Sequence, residues 1–352
     1  MTERIDTEVA ILGGGIVGGS AALFLRRLGV PVVLLEAALC GARASGVNYG
    51  GVRRQGRGLE QMPLARRAHE LWGQLPQLIG IDGEYVRSGH LKLACSDADL
   101  DALHAYRAQT RGFGMNLEML DRAALARRFG WLGAHVVGGS FCPEDGHANP
   151  RLVSPGFGRA ARALGADVRE STRVTEAVHD GDRFILRAGD ALEVRSRFLL
   201  NCAGAWAGRF AQDFGETVPE TSIHPLMMVT EPLPLFMDVS LGMQGGRHLC
   251  APGGARQLRH RRRPRRVRRP RLRPSRPRGA GLADGQRRAP AAAVARGAGH
   301  PLLDRGRGQH ARPQPGAGPQ RHRAGSVPCF RPVRRGLPDR PRRGRSAFRT
   351  GR

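Results

Sequence analysis

The feature that most constrains this chain is a glycine turn wedged between a strand and a helix near residue 13. Glu8–Leu12 (EVAIL) is an apolar run of strand length, and GGGIVG comes at once after it. An apolar stretch with helical spacing then runs from Ile16 to Leu28, and Gly29 closes it as a C-cap. Pro31–Leu35 (PVVLL) reads as a second strand and ends on Glu36. Together these make a βαβ unit with a dinucleotide fingerprint in register. Gly13 makes the tight turn, Gly15 lets backbone approach a pyrophosphate, and Gly18 lets the helix pack closely on the strand. Ile16 and Val17 open the helix, whose free N–H groups and positive dipole end favour phosphate. Glu36 stands where a carboxylate accepts ribose hydroxyls. An acid there favours an unphosphorylated ribose, hence FAD or NAD over NADP.

The residues beyond Glu36 separate FAD from NAD. Gly41–Gly56 reads GARASGVNYGGVRRQG. Gly46, Gly50 and Gly51 let backbone pass close to a flat ring, and Ser45 and Asn48 offer hydrogen bonds at the same place. Further on, Phe198–Leu200 enters NCAGAWAGRFA, Asn201–Ala211. These segments resemble the FAD-dependent family of D-amino-acid oxidase, glycine oxidase, sarcosine oxidase and related dehydrogenases. The resemblance covers about residues 1–255. It implies that Ala44, Ser45, Gly46, Asn48, Gly50 and Gly51 run along the FAD pyrophosphate and isoalloxazine, with Arg43 at a phosphate. It places Ala203 and Gly204 at a strand end beside the FAD, where Trp206 is expected to pack. It also makes Val174 a candidate for backbone contact with the adenine. An NAD(P)-dependent Rossmann enzyme is the alternative within the same fold, and it would lack both family segments.

The implied fold is α/β (α+β): a Rossmann-like FAD-binding domain with an antiparallel-sheet substrate domain. The FAD-binding domain is discontinuous, 1–82 and 141–217, and the substrate domain takes 83–140 and 218–255. Between them, Tyr85–Cys95 alternates as a strand, and Asp97–Arg111 and Asp121–Phe129 read as helices opening on Asp N-caps. Cys142–Pro150 (CPEDGHANP) resembles the family's return to the FAD domain through Asp145, Gly146 and Pro150. A helix is expected over Pro155–Leu164, and strands over Asp167–Glu170, Arg173–His179 and Arg183–Arg187. His69, His90, His147 and His224 make no ligand pair and read as packing or surface residues, so no metal site is expected.

Charge divides the chain a second way. Arg256–Arg352 holds 30 arginines, three aspartates, and neither lysine nor glutamate. It carries the whole net charge of +27, and residues 1–255 are neutral. With Phe330 and Phe348 as its only aromatics, the 256–352 segment is expected to be a disordered Arg/Pro-rich tail. An arginine-rich tail invites a nucleic-acid-binding reading, but only nonspecific, salt-dependent binding is expected from it. Its composition fits a GC-rich gene read out of frame. Taking bases two and three of each codon with the first of the next, Gln257–Pro264 permits NFVIGGGR. The same shift lets Leu303–Pro319 permit WTGVEGNTPDRNPVLGP and Arg335–Gly344 permit AGFQIGPAVG. These strings occur in the family's order, so a frameshift is expected between about Cys250 and Gln257.

The implied chemistry is oxidation of a C–N bond in a small amine or amino acid, by hydride transfer to flavin and hydrolysis of the resulting imine. The electron acceptor, oxygen or another, is open. In the family, part of the substrate grip and the flavin cap comes from the C-terminal part, so no catalytic residue is named and the chain as it stands is expected to be weakly active. The six scattered cysteines suggest no disulfide framework. MTERIDTEVA lacks a signal-peptide n-region, and Val9–Leu25 is interrupted by glycines, so no transmembrane segment is expected. The expected compartment is the cytoplasm, with a peripheral position at the inner membrane left open.

Overall fold

The computed structural model describes residues 1–234, 236–246, 248–252, 258–262, 307–310 and 329–330. Two seven-stranded sheets organise it. In the first, Asp167–Arg169, Val32–Leu35, Glu3–Leu12 and Leu192–Asn201 lie side by side and parallel. Phe184–Ala188 and Glu176–His179 extend it antiparallel as a hairpin. Strands buried on both faces need apolar side chains on both, which is why Val9–Leu12 and Val32–Leu35 are continuous apolar runs with every residue buried. The Ile16–Arg27 and Pro150–Ala163 helices cover one face around Ile11, Leu23, Leu34, Val153 and Phe157. The other face packs Ala10, Leu12, Phe184, Leu186 and Val194.

The second sheet runs Leu226–Val229, Leu258–Arg262, His248–Pro252, Ser240–Met243, His90–Ala94, Gly138–Cys142 and Glu118–Asp121. All its pairings are antiparallel except Ser240–Met243 with His90–Ala94. Alternation puts Leu91, Leu93 and Phe141 on one face, against Leu125, Phe129 and Val136. His90 and Lys92 fall on the opposite face. A two-stranded ladder, Gly51–Val52 with Gly146–His147, ties the chain leaving the first sheet to the chain returning from the second.

Several local expectations shift. The Asp97–Gln109 helix is capped by Ser96, whose hydroxyl accepts the Asp99 N–H, so Asp97 lies one residue inside it. Asp121 does cap the Arg122–Arg128 helix. The helix expected from Pro155 starts at Pro150, capped by Asn149, because a proline at the first helical position donates nothing that needed an acceptor. Pro155 sits inside it, where the Gly41 turn packs on its ring. The Tyr85–Cys95 strand shortens to His90–Ala94, with a single bridge from Val86 to His147. Within the tail, Leu258–Arg262, Arg307–His310 and Cys329–Phe330 are strands, paired respectively in the second sheet, with Glu220–Ile223 and with Leu192–Asn201. Disorder does not describe those three stretches; backbone pairing needs no apolar side chain. The rest of the tail lies outside the described residues.

Candidate functional site

Four chain segments leave the carboxyl ends of the parallel strands and meet there, the edge where open α/β sheets bind ligands. The Gly13 N–H donates to Leu35 O, Gly41 N–H to Gly14 O, Thr172 N–H to Glu36 O, and Cys202 N–H to Leu12 O. The crossing requires glycine. Gly13 has φ of +99°, and a Cβ on it would lie 2.4 Å from Cys202 O; one on Gly18 would lie 1.9 Å from Gly13 O. A Cβ on Gly15 would sit 2.9 Å from the Ser45 hydroxyl.

The helix N-terminus mixes closed and open donors. Gly14 N–H donates to Glu36 Oε2 at 2.6 Å, and Ile16 N–H to Ser45 Oγ at 3.0 Å. The N–H groups of Gly15 and Val17 carry no hydrogen bond among the described residues. No acidic side chain stands in the first turn, and Val17 is 47% exposed. Glu36 is buried; its second oxygen accepts the Ala38 N–H at 2.8 Å. A carboxylate has about four acceptor positions, so each oxygen keeps capacity for a ligand hydroxyl.

The 41–51 segment braces itself. Asn48 Nδ2 donates to Ala44 O and Ser45 O, and its Oδ1 accepts the Gly50 N–H at 2.8 Å. Asn48 thus spends its amide on the loop rather than presenting it outward. Gly46 has no room for a Cβ, which would meet Gly41 O at 2.1 Å, and Gly50 adopts φ of +80°. Gly51 faces the Tyr49 ring. Arg43 is exposed, with its guanidinium 5.7 Å from the centre of the Trp206 ring. Trp206 is 47% exposed, so it does not pack inside as expected; the Gly204–Trp206 turn holds it at the rim. Ala203 N–H donates to Asn201 Oδ1, and Gly204 turns with φ of +59°. Val174 lies just outside the Glu176–His179 strand, half-buried against the Ala177 and Phe184 core.

Cys40 and Cys202 both border the turn. Burial, then the Glu170 carboxylate, push the Cys40 thiol up to about 12, so it stays protonated and packs. Among the described residues no cluster of His, Cys, Asp and Glu could hold a metal, and no helix is long and apolar enough to cross a membrane.

A second polar centre, which sequence reasoning missed, lies just beyond this loop. Asp145 is fully buried, and its Oδ1 and Oδ2 accept the N–H groups of Arg54 and Gln55, each at 2.9 Å. The Arg54 side chain pairs with Glu144 and reaches toward Asp145. Gln55 is fully buried, donates to Ser140 O and Oγ, and receives His90 Nδ1 at 2.6 Å. The Ser140 carbonyl can only accept, so the Gln55 amide nitrogen faces it, and His90 must carry its proton on Nδ1. His90 Nε2 is buried with no partner among the described residues. Burial first, then Arg53 and Lys92, hold its pKa well below the usual histidine range.

Comparison with known proteins decides the ancestry of this site. Residues 8–338 match the DAO family, FAD dependent oxidoreductase. The chain belongs to this family. Its cofactor type is FAD, which disfavours the nicotinamide and nucleic-acid alternatives. An opine oxidase subunit of Rhizobium meliloti is 30% identical over 237 residues, covering 64% of this chain and 64% of that protein. The chain thus spans less than two thirds of that relative. Glycine oxidase of Geobacillus kaustophilus (strain HTA426) is 26% identical over 270 residues, covering 73% of this chain and 70% of that protein. The crystal structure of glycine oxidase from Geobacillus kaustophilus superposes with a TM-score of 0.67 at 23% identity, over 73% of this chain and 70% of that one. L-proline dehydrogenase from P. horikoshii gives 0.67 at 19% identity, over 73% of this chain and 70% of that one. These two superpositions show the shared fold.

Proposed function

We propose that this chain is built to hold FAD along the carboxyl edge of its parallel sheet and to oxidise a C–N bond of a small amine or amino acid. The observation that carries the cofactor assignment is the donor pattern at the glycine turn. Gly15 and Val17 keep open N–H groups beside a cradle that any Cβ at Gly15 would fill. In this reading the pyrophosphate sits over Gly15–Gly18 and Glu36 takes the ribose. The Ser45–Gly51 loop and Ala203–Gly204 border the ring system, Arg43 approaches a phosphate, and Val174 lies toward the adenine. FAD, when bound, supplies the two-electron acceptor. The protein's part is to place the neutral amine and its Cα–H against the ring and to hold the substrate's charged groups. The C–N chemistry is supported by the family, by glycine oxidase among the relatives, and by N-methyl-L-tryptophan oxidase of Citrobacter koseri, 29% identical over 229 residues.

The frameshift near residue 250 belongs to the same proposal: 1–82 with 141–217 form the FAD domain, 83–140 with 218–255 part of the substrate domain, and the codons beyond are out of frame. Two proteins test it, the 352-residue chain and one with the frame restored between Cys250 and Gln257. The restored chain is expected to take up FAD stoichiometrically and to bleach anaerobically with glycine, sarcosine or an N-methyl amino acid. The chain as it stands is expected to take up little. No flavin absorbance in the restored chain would reject the function, and a gene sequence that yields no family C-terminus in any frame would reject the frameshift.

A further inference from the structure

Two segments flank the glycine turn, and one side-chain pair spans it. The Gly41–Ser45 segment is pinned on one side: Gly41 N–H donates to Gly14 O, and Ser45 Oγ accepts the Ile16 N–H at 3.0 Å. The Cys202–Trp206 segment is pinned on the other. Cys202 N–H donates to Leu12 O, and a Cβ on Gly18 would lie 3.3 Å from Cys202 Cβ. Arg43 comes from the first segment and Trp206 from the second, and the Arg43 guanidinium carbon lies over the indole ring, 5.7 Å from its centre. Both side chains are exposed. The contact therefore joins the two segments that border the open N–H groups of Gly15 and Val17.

A ring face holds a cation without supplying a hydrogen-bond acceptor, so the contact leaves the guanidinium donors uncommitted. Arg43 makes no hydrogen bond and no ion pair among the described residues, and no acid stands in the first turn of the neighbouring helix. An exposed arginine samples many rotamers, and fixing it at a ligand costs entropy. A ring that already confines the guanidinium removes part of that cost. We propose that Trp206 is a positioning residue: its ring holds the Arg43 guanidinium across the turn, so that the arginine's N–H donors meet the pyrophosphate of the dinucleotide. This rests on the FAD reading of the same site. Trp206 acts through Arg43 and makes no contact of its own with the phosphates.

ADP, the half of the cofactor that the glycine turn would hold, tests this without the flavin. The 352-residue chain is titrated with ADP calorimetrically. Arg43→Gln is expected to lower the affinity roughly tenfold or more, the scale of one hydrogen bond between charged groups. Trp206→Leu should lower it about two- to fivefold, the scale of an exposed cation–π contact, and Trp206→Phe, which keeps a ring face, should recover most of that loss. The coupling decides: in an Arg43→Gln background, Trp206→Leu should cost nothing further. A loss from Trp206→Leu that is as large without Arg43 as with it would mean that the ring acts by its own contact, and it overturns the proposal. Wild-type affinity in Trp206→Leu, or no binding of ADP, overturns it too. Both side chains are exposed, so every variant should keep its folded circular dichroism; should Trp206→Leu lose it, the comparison of Trp206→Gln with Trp206→Phe decides. The frame-restored chain is then read for flavin absorbance. Flavin uptake without the Arg43–Trp206 coupling removes this inference alone, and the coupling without flavin uptake removes the proposed function alone.

Discussion

The glycine turn at 13–18 and the polar knot around Asp145 face the same problem, backbone N–H groups turned away from water, and meet it in opposite ways. At the turn, side chains are removed. Two donors are closed by Glu36 and Ser45, and those of Gly15 and Val17 are left open. At the knot, side chains are supplied, and the Arg54 and Gln55 donors are both closed by one buried carboxylate. Under the proposed function the difference separates donors left for a phosphate from donors that fix a loop: the open pair belongs to the turn, and the closed pair ties Arg54 and Gln55 to Asp145. It predicts that damage at the knot appears first as lost stability, and damage at the turn as lost stability together with lost FAD.

The largest effect should come from Asp145→Ala. Removing the carboxylate strands two buried N–H groups and leaves the buried Arg54 with one partner, a loss of about 3–5 kcal/mol. Urea unfolding checks it. A loss under about 1 kcal/mol would mean that water replaces the carboxylate, and the contrast between closed knot and open turn would fail.

Gly18→Ala should rank next. The new Cβ would press on Gly13 O at 1.9 Å, a backbone atom that cannot swing away. We expect about 2–3 kcal/mol of destabilisation and loss of flavin uptake in the frame-restored chain. Gly29→Ala is the matched control. Its φ is +76° but nothing lies within 4 Å of a new Cβ, so only the left-handed backbone penalty of about 1 kcal/mol applies, with FAD uptake unchanged. Equal losses in the two variants would show that small shifts relieve the crowding at Gly18, and that close approach does not make it obligatory.

The same contrast explains why the turn is legible in the sequence and the knot is not. Strand, turn, helix, strand and Glu36 lie within 36 residues, and each announces itself by a local rule of spacing or backbone freedom. The knot has no local signature. Gln55 meets Ser140 85 residues away, and Arg54 meets Asp145 91 residues away. Asp145 stands out only as part of a family pattern, and nothing in its neighbours says that both its oxygens face backbone. His90 reads as packing because its amide partner lies 35 residues earlier, in a loop whose path is set by the Gly51–Val52 ladder. Asn48 reads as an outward donor because its i−4, i−3 and i+2 bonds to its own loop depend on a turn conformation that composition does not specify. Trp206 misleads for a related reason: an indole in an apolar segment reads as core unless the turn that lifts it to the rim is known.

Acid should probe the knot more gently. Burial, Arg53 and Lys92 keep folded His90 neutral well below the pKa near 6.5 that it has in the unfolded chain. Below that pH the unfolded chain takes up a proton that the folded chain refuses, so stability falls as pH falls. Asp145 titrates in wild type and variant alike and cancels in their difference. The stability advantage of the wild type over His90→Gln should therefore shrink by about 1.4 kcal/mol between pH 7.5 and 5.5. A pH-independent difference would mean that folded His90 takes up its proton as readily as the unfolded chain does, and an advantage that grows on acidification would mean that its folded pKa is raised, as an anion on Nε2 would raise it.

Ser45→Ala should give the smallest change and is the finest test of the turn. Ser45 is not part of the helix it serves; it reaches Ile16 from 29 residues away and fills the space above Gly15. Losing that acceptor should cost about 1 kcal/mol, the usual scale of a helix cap. The hydroxyl that accepts from Ile16 still has its own proton to give, and the open N–H groups of Gly15 and Val17 stand on the same turn. If all three donors converge on one phosphate, the variant's FAD affinity should fall severalfold, about the worth of one hydrogen bond to a charged group. If stability drops while FAD affinity holds, Ser45 belongs with Asp145 among the groups that only close the backbone, and the open side of the turn narrows to its bare N–H groups.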